Sequence, residues 1–445
     1  MKNFAGRLKR TAMGDALVRR NPLFYGRMAA LVERLDEATL EDRRAFAGRR
    51  LRAILNVAGR TRYGRPYAGK GITEWPFLER ELVRDQPKSF ICGPTWLGFS
   101  AATTGTSGTP LRLWRSLQNV VNEQVRLDEL FRRCGIDPIT ARVAVLRGDD
   151  IKDPSDRDPP FWQEANAGKR LIFSSNHLNR QTIPHFWEAL RRYAPDCLAA
   201  YPSVLESLCE LLRSAGLPLR IPLVVTSSEV LSATTWRLAN EVLGARVVDY
   251  YGQAERVAFA VAFEPNVYHF MPTYAYVELL PAGEDGDYRL YEIVGTNLWN
   301  SKMPLVRYRT GDLVRLPKAL LPGELEAIRY GCAPFSGVLG RSGDYLVGPH
   351  GARITGIDHI PRGVENIIRS QVIQETLTRV KILVVPKPEF SDAEVEQLLA
   401  NAASKLPPEM EVAVEVVDQL ERGKQGKVPF VIRRVEVNHP TPLVQ

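Results

Sequence analysis

Apolar residues recur three and four positions apart in the first 90 residues of the chain, which is the spacing of one helix face. The clearest cases are Leu31–Leu35 and Leu51–Val57. A longer stripe of the same kind runs from Leu117 to Phe131 and is followed by Gly135. The pattern predicts a mainly helical segment over residues 1–90 and a further helix that stops at Gly135.

Short apolar runs alternate with helical stretches from residue 143 to residue 250. The predicted strands are Val143–Leu146, Leu171–Phe173, Leu223–Val225 and Arg246–Tyr250, and the predicted helices are Phe186–Tyr193, Ser203–Ala215 and Thr234–Leu243. Such alternation predicts a largely parallel α/β sheet, whose ligands gather at the carboxyl ends of the strands.

The pattern changes after about residue 265, where turn residues separate short strand-like runs. These runs are Tyr276–Leu280, Tyr288–Ile293, Leu305–Tyr308 and Leu313–Leu316. They favour antiparallel pairing. The block from Asp344 onwards has strand-like runs at Val380–Val385 and Glu411–Val417 and a helix at Asp392–Leu406, which is enough for a small separate α+β domain.

Composition indicates a soluble protein of two or more domains. The chain has 445 residues, 44% of them hydrophobic, and no run approaches the roughly 18 apolar residues of a membrane span. Its first 21 residues are basic and lack the apolar core of a secretory signal. Five scattered cysteines without a Cys-x-x-Cys pair indicate reduced thiols and a cytoplasmic location.

The net charge of +8 suits anionic substrates such as nucleotides. It would also suit nucleic acid, but no nucleic-acid-binding signature accompanies it, so we expect no nucleic-acid partner.

A loop rich in glycine and hydroxyl groups is the first candidate site. Glycines allow a tight turn, and successive N–H groups and hydroxyls supply hydrogen-bond donors, so the run is typical of a phosphate-holding loop. Its candidate residues are Thr103, Thr104, Gly105, Thr106, Ser107 and Gly108. It is not a Walker A loop, because Gly108 is followed by Thr109-Pro110 rather than Lys. A flexible surface linker is the alternative interpretation of this run alone.

Further motifs follow the loop in a fixed order. They are Thr226-Ser227-Ser228-Glu229, Tyr250-Tyr251-Gly252-Gln253-Ala254-Glu255, Tyr308-Arg309-Thr310-Gly311-Asp312, Gly340-Arg341-Ser342-Gly343-Asp344 and Gly423-Lys424-Gln425-Gly426-Lys427. Together they resemble the adenylate-forming superfamily, and within it the branch of phenylacetate-CoA ligase, coenzyme F390 synthetase and the CapK-like proteins. The resemblance covers roughly residues 90–435.

The resemblance implies an α/β fold with a large N-terminal AMP-binding domain over residues 1–340 and a small mobile α+β lid domain over residues 341–445. The large domain is expected to hold mostly parallel sheets flanked by helices, plus an antiparallel barrel-like part. The small domain is expected to rotate between two half-reactions.

The same resemblance implies roles for residues in the motifs. Asp312 is expected to hold both ribose hydroxyls, since an ionised carboxylate only accepts hydrogen bonds, and Glu255 is expected to ligate Mg²⁺ through hard oxygen. Arg341 matches the arginine that reaches the ribose, and Lys427 the lysine that stabilises negative charge during adenylation. Lys424 is a competing candidate for the last role. The expected nucleotide contacts also include Ser228, Glu229, Tyr251, Gly252 and Gln253.

The sequence departs from the family pattern at two places. Leu111 stands where the phosphate loop often carries Lys or Arg, and Gly343 stands where the hinge is commonly acidic or Lys, so Gly343 and Asp344 remain alternative hinge residues. Some relatives carry a cysteine-rich zinc site near the position of His269. The cysteines are missing there, so no zinc is expected, and His177 and His269 are interpreted as structural.

The implied activity is ATP- and Mg²⁺-dependent formation of an acyl-AMP from an aromatic or other small carboxylic acid, followed by transfer to a thiol such as that of CoA or to an amine. Two alternatives remain. One is adenylylation of a phenol, as in coenzyme F390 synthetase. The other is a catalytically degenerate basic binding protein on the same scaffold.

Overall fold

The computed structural model describes residues 14–102, 111–147, 151–152, 156, 158–341, 346–349, 353–354, 357, 360–361, 364–403, 405–422 and 428–435. Contacts divide the chain into two compact units, Met1–Gly340 and Arg341–Gln445. The two units are described separately. The assignment of the first unit as an AMP-binding domain and of the second as a lid domain stays a prediction.

The helices of the described residues lie mostly in the first unit. They are α1 (Tyr25–Asp36), α2 (Leu40–Ala58), α3 (Arg80–Asp85), α4 (Leu117–Arg132), α5 (Ile183–Tyr193), α6 (Pro202–Ser214), α7 (Ala233–Leu243), α8 (Pro322–Arg329) and α9 (Asp392–Ala403). Short π or 3₁₀ turns lie at Asp15–Arg19, Arg65–Tyr67, Ile72–Glu74, Pro87–Phe90, Thr95–Leu97 and Ser175–His177. None of these elements combines the length and the apolar character that crossing a bilayer requires.

The strands form several separate sheets. They are β1 (Phe99–Ala102), β2 (Arg112–Arg115), β3 (Val143–Leu146), β4 (Trp162–Ala165), β5 (Arg170–Phe173), β6 (Cys197–Ala200), β7 (Leu223–Ser227), β8 (Arg246–Gly252), β9 (Phe259–Ala262), β10 (Tyr268–Phe270), β11 (Ala275–Asp285), β12 (Tyr288–Asn297), β13 (Tyr308–Pro317), β14 (Val338–Arg341), β15 (Leu346–Val347), β16 (Arg353–Ile354), β17 (Ile367–Gln374), β18 (Arg379–Pro386), β19 (Glu411–Val416) and β20 (Val431–Arg433).

The central sheet of the first unit has the order β10-β9-β8-β7-β6-β3-β5-β4. Its five middle strands, from β8 to β5, pair in parallel, and the outer strands pair antiparallel. The predicted α/β class is therefore confirmed. The predicted strands at 143–146, 171–173, 223–225 and 246–250 are all found in this sheet.

The sheet is buried on both faces, which is why its middle strands are almost wholly apolar. Every residue of β7 is buried. Side chains that alternate along the strands belong to two different apolar clusters, Val224 and Val247 to one, Val225 and Val248 to the other. The side chains of each strand therefore alternate between the two faces as far as the carboxyl edge of the sheet, and this alternation determines on which face each polar residue lies.

The helix starts follow from local capping chemistry. Thr39 Oγ1 accepts the Asp42 N–H before α2, Ser116 Oγ accepts the Asn119 N–H before α4, and Ser232 Oγ accepts the Thr235 N–H before α7. Such side chains satisfy N–H groups that have no partner within the helix. The helix α4 ends before Gly135, as predicted.

A second sheet of the first unit has the order β11-β12-β13-β14, and its strands β11, β12 and β13 pair antiparallel. Here one sequence prediction is wrong: Leu305–Tyr308 and Leu313–Leu316 are not two strands, because β13 runs unbroken from Tyr308 to Pro317. Gly311 takes a φ of 73°, and the pairing with β12 shifts register there. Thr310 and Gly311, whose sequence favours a turn, thus form a bulge within one strand.

The second unit contains the sheet β19-β18-β17-β20 and the helix α9. The strand and helix predictions for 380–385, 392–406 and 411–417 are confirmed within a few residues. Buried residues of β17, β18 and α9, among them Val372, Ile382 and Leu398, pack into a core of their own.

Candidate active site

The side chains of Tyr251 and Asp312 meet although they come from different sheets. Tyr251 lies near the end of β8 and Asp312 lies in β13. The Tyr251 hydroxyl donates to Asp312 Oδ2 at 2.6 Å. Burial, with the Asp312 charge as the next cause, raises the pKa of Tyr251 well above 10, so the phenol keeps its proton and donates. Two residues that were predicted separately therefore form one hydrogen-bonded pair.

The turn after β8 is held by Gln253. Its Nε2 donates to the Tyr251 hydroxyl at 3.3 Å, and its Oε1 accepts the Ala258 N–H at 3.4 Å. A Cβ on Gly252 would lie 3.3 Å from the ring of Phe259, so a larger residue there would crowd the core. This turn directs the chain from β8 towards Glu255.

Glu255 carries a buried carboxylate that two neighbouring side chains hold in place. Its Oε1 accepts from Arg80 Nη1 at 3.0 Å and from the Tyr308 hydroxyl at 2.9 Å. Burial and then the Glu255 charge raise the pKa of Tyr308, which keeps that hydroxyl a donor. Arg80 supplies the positive charge that a buried carboxylate needs. Both bonds reach the same oxygen, and one cation already stands beside the predicted Mg²⁺ ligand.

A second arginine supports the same turn from β2. Arg115 Nη2 donates to the carbonyl of Ala254 at 2.8 Å. Burial, and after it the nearby charge of Arg256, lowers the pKa of Arg115 to about 10. The turn that carries Glu255 is therefore bordered by arginines, which favours an anionic ligand at this place.

Ser228 and Glu229 follow β7 at the carboxyl edge of the central sheet. Ser228 is exposed and has a φ of 74°, a left-handed conformation that is uncommon outside glycine. Glu229 Oε2 accepts the Ser203 N–H at 2.9 Å and so caps the first turn of α6. The expected contact of this segment with adenine stays a prediction.

Several predicted residues cannot be placed. Thr103–Gly108, Gly343, Asp344, Lys424 and Lys427 lie outside the described residues. Arg341 is the last residue of β14.

The two histidines have local contacts. His177 Nδ1 is 2.7 Å from Ser174 Oγ and the ring stacks on Phe161, while His269 Nδ1 is 3.1 Å from the carbonyl of Gly331. Among the described residues, no three or more His, Cys, Asp or Glu side chains are grouped to hold a metal ion.

Two family profiles match the chain. The profile of AMP-binding enzymes matches residues 165–328, a stretch that contains Tyr251, Glu255 and Asp312. The profile of the CapK C-terminal domain matches residues 346–434. The protein CapK of Staphylococcus aureus is 18% identical over 380 residues, which are 84% of this chain and 82% of CapK.

The chain thus carries an AMP-binding segment and a CapK C-terminal segment, and this combination is similar to that of the adenylate-forming superfamily. Phenylacetate-coenzyme A ligases are further relatives: that of Pseudomonas putida is 29% identical and that of Aromatoleum evansii 30% identical. The match spans 40% of the length of each of these ligases. A 2-hydroxyisobutyryl-CoA ligase, solved in the postadenylation state with R3-HIB-AMP, aligns over 89% of this chain and 90% of its own with a TM-score of 0.59. At 15% identity, that likeness shows a shared fold alone.

Sequence reasoning missed Arg80, Arg115 and the role of Tyr308. Tyr308 stands in a motif that was recognised, so its position was a signal. Arg80 lies 175 residues before Glu255, and no local pattern marks it.

Proposed function

We propose that this protein is a ligase that uses ATP and Mg²⁺ to convert a carboxylic acid into its acyl-AMP, and that it then passes the acyl group to a thiol such as that of CoA or to an amine. The observation that carries the proposal is the hydrogen bond between Tyr251 and Asp312, which joins two motifs of the AMP-binding family. Glu255 follows Tyr251 in the turn after β8, where Arg80 of α3 pairs with it.

The chemistry follows from the weak reactivity of a carboxylate. Adenylation supplies a good leaving group, and the protein contributes positioning and stabilisation of charge on the phosphoryl group being transferred. Asp312, which Tyr251 orients, would accept hydrogen bonds from the ribose hydroxyls. Ser228, Glu229, Gly252 and Gln253 would border the nucleotide.

A Mg²⁺ ion fits the carboxylate of Glu255. Mg²⁺ is commonly held by one or two carboxylates together with substrate phosphates, so a single glutamate is a sufficient protein ligand. Because Arg80 and Tyr308 both bind Oε1, the oxygen that would ligate the ion is Oε2. When bound, Mg²⁺ would neutralise charge on the phosphates.

The proposal places the enzyme in the cytoplasm, in accordance with its five cysteines, all of which are free thiols. Its partners are a small acid and a small thiol or amine, and no nucleic acid is included.

One observation favours a second candidate, a nucleotide-binding protein without turnover. Leu111 stands where relatives often place a basic residue, and it is fully buried in the cluster of Leu78, Phe90 and Met303. Its side chain therefore supplies no charge to a bound phosphate. A site with fewer cations at the phosphates would bind ATP but release pyrophosphate slowly.

We expect the protein to bind ATP in the presence of Mg²⁺ and to release pyrophosphate with at least one aromatic or aliphatic acid. Calorimetry measures the binding, and a coupled assay over a panel of acids measures the release. Folded protein that does not bind ATP contradicts both candidates. Binding without acid-dependent release supports the second candidate and contradicts the first. Mass spectrometry of the product separates acyl transfer from a stable AMP adduct on a phenol.

Glu255→Gln is expected to lower turnover roughly tenfold and to raise the Mg²⁺ concentration that half-saturates the reaction. The amide keeps the shape of the side chain but loses the anionic oxygen that Mg²⁺ prefers. Pyrophosphate release measured over a series of Mg²⁺ concentrations tests this.

The matched control is Glu241→Gln, which changes an exposed glutamate of α7. It is expected to behave as wild type. An unchanged Mg²⁺ dependence in Glu255→Gln would show that this carboxylate serves only to pair with Arg80.

A further inference from the structure

Arg147 directly follows β3 at the carboxyl edge of the central sheet, and none of the motifs includes it. It is partly buried. Its Nη1 donates to the Tyr250 hydroxyl at 3.5 Å, and its guanidinium carbon lies 5.9 Å from the centre of that ring. Its Nε is shielded from solvent and has no hydrogen-bond partner among the described residues. No carboxylate in the described part of the chain forms a salt bridge with this guanidinium, although the charge of the buried Asp249 acts on it over a longer distance.

The contact between Arg147 and Tyr250 crosses the middle of the sheet. Two strands, β6 and β7, lie between β3 and β8, so the strands that carry the two residues are about 14 Å apart. The alternation that places Val225 and Val248 in one cluster puts Ala199, Ser227 and Tyr250 on that same face. The two long side chains therefore meet above small residues at the carboxyl edge of the sheet.

The missing partner indicates the charge of that ligand. A guanidinium removed from water is normally paired with an anion, because its desolvation is costly. Its planar fork matches a carboxylate in geometry. Tyr250 adds a donor, since its oxygen accepts from Arg147 and its own proton remains to be donated.

The position of the pair indicates which part of a substrate it would meet. Tyr250 and Tyr251 are consecutive in β8, so their side chains point to opposite faces of the sheet. Tyr251 contacts Asp312, the predicted ribose-binding residue. Arg147 and Tyr250 thus lie at the end of β8 on the face of the sheet opposite to Tyr251, away from the predicted nucleotide contact.

We propose that Arg147 and Tyr250 bind a second carboxylate of the acid substrate, at the end remote from the carboxyl group that is activated. The substrate class is then a dicarboxylic acid rather than a simple aromatic or aliphatic monoacid. This inference rests on the proposed adenylate-forming activity.

The test compares pairs of acids that share a carbon skeleton and differ by a terminal carboxylate. Acid-dependent pyrophosphate release gives kcat/KM for each member with the wild type and with Arg147→Met. The wild type is expected to prefer the diacid, and the ratio of diacid to monoacid is expected to fall roughly 30-fold in Arg147→Met, the scale of one lost hydrogen bond to a charged group. Arg147→Lys, which keeps the charge but not the fork, is expected to retain part of the preference.

The matched control is Arg142→Met. Arg142 directly precedes the same strand at its opposite end and is exposed. Its guanidinium lies 6.0 Å from the centre of the Tyr193 ring and 4.0 Å from a carboxylate oxygen of Asp196, so it is a cation near a tyrosine but far from the carboxyl edge of the sheet. Its diacid-to-monoacid ratio is expected to equal that of the wild type. Thermal unfolding of each variant confirms that it is folded.

Two results overturn the inference while leaving the proposed function in place. One is a wild type that prefers monoacids. The other is an unchanged diacid-to-monoacid ratio in folded Arg147→Met, including the case in which the KM for ATP rises equally with both acids, which would assign Arg147 to the nucleotide. If no acid releases pyrophosphate from the wild type, the proposed function itself is contradicted, and this inference with it.

Discussion

Asp312→Ala is expected to weaken the binding of ATP by roughly 10²-fold or more, because two hydrogen bonds from the ribose hydroxyls to a carboxylate are lost together. The side chain is largely buried and is oriented by the Tyr251 hydroxyl at 2.6 Å, so little reorganisation is needed when a nucleotide binds. Calorimetric titration of the folded variant with ATP and Mg²⁺ measures the change in Kd.

Tyr251→Phe is the control that separates the carboxylate from its support. It removes the hydroxyl and leaves Asp312 in place, so we expect a smaller loss of affinity, roughly tenfold, as for one hydrogen bond to a charged group. If Asp312→Ala binds ATP with the Kd of the wild type, the match of this aspartate to the family motif is accidental. If Tyr251→Phe is as weak as Asp312→Ala, the tyrosine has a larger role than orienting its partner.

Four of the eight strands that the described residues form in the central sheet could be predicted, because they are short apolar runs separated by helices with clear starts; β4, β6, β9 and β10 were not predicted. Ser232 before α7 and the buried run of β7 are local signals that need no knowledge of the rest of the chain. The register of β13 could not be predicted. Gly311 favours a turn locally, and only the pairing with β12 converts that turn into a bulge inside one strand.

In the candidate site, too, some features could be predicted from the sequence and others could not. Asp312, Tyr251 and Glu255 could be found because their motifs follow one another in an order that resembles the adenylate-forming superfamily, and two of them, Tyr251 and Asp312, stand next to glycine. Their mutual contacts could not, since β8 and β13 belong to different sheets. Arg80 gives no signal in the sequence, and its pairing with Glu255 depends on tertiary packing alone. Glu229 was predicted as a nucleotide contact, and nothing in the sequence indicated that its carboxylate caps α6.

The two consecutive tyrosines of β8 connect the proposed nucleotide and acid sites. Because side chains alternate along a strand, Tyr251 contacts Asp312 on one face of the sheet and Tyr250 contacts Arg147 on the other. The end of β8 therefore contacts both the predicted ribose-binding residue and the proposed acid-binding residue. A shift of β8 by one residue would exchange the two faces. The buried Asp249, which accepts from Thr226 Oγ1 and the Tyr268 hydroxyl at 2.5 Å each, holds the strand in register just before this pair.

Lys427→Ala is expected to lower the rate of adenylation by roughly 10²- to 10³-fold, the effect of removing one preorganised electrostatic donor. By resemblance, its ammonium neutralises charge that develops as the carboxylate attacks the α-phosphate. Formation of the thioester or amide from a chemically supplied acyl-AMP is expected to survive, because that half-reaction no longer involves the attack. Separate assays of the two half-reactions measure this difference.

The neighbouring Lys424 provides a control within the same glycine- and lysine-rich segment. Lys424→Ala carries the same change of charge three residues earlier, so a mild effect on adenylation is expected if the register of the motif is as assigned. Loss of adenylation in Lys424→Ala with retention in Lys427→Ala shows that the register is wrong. Retention in both shows that neither of these two lysines is needed for adenylation. A loss of both half-reactions in Lys427→Ala points to a general defect of the domain, which thermal unfolding of the variant separates from a loss of charge stabilisation.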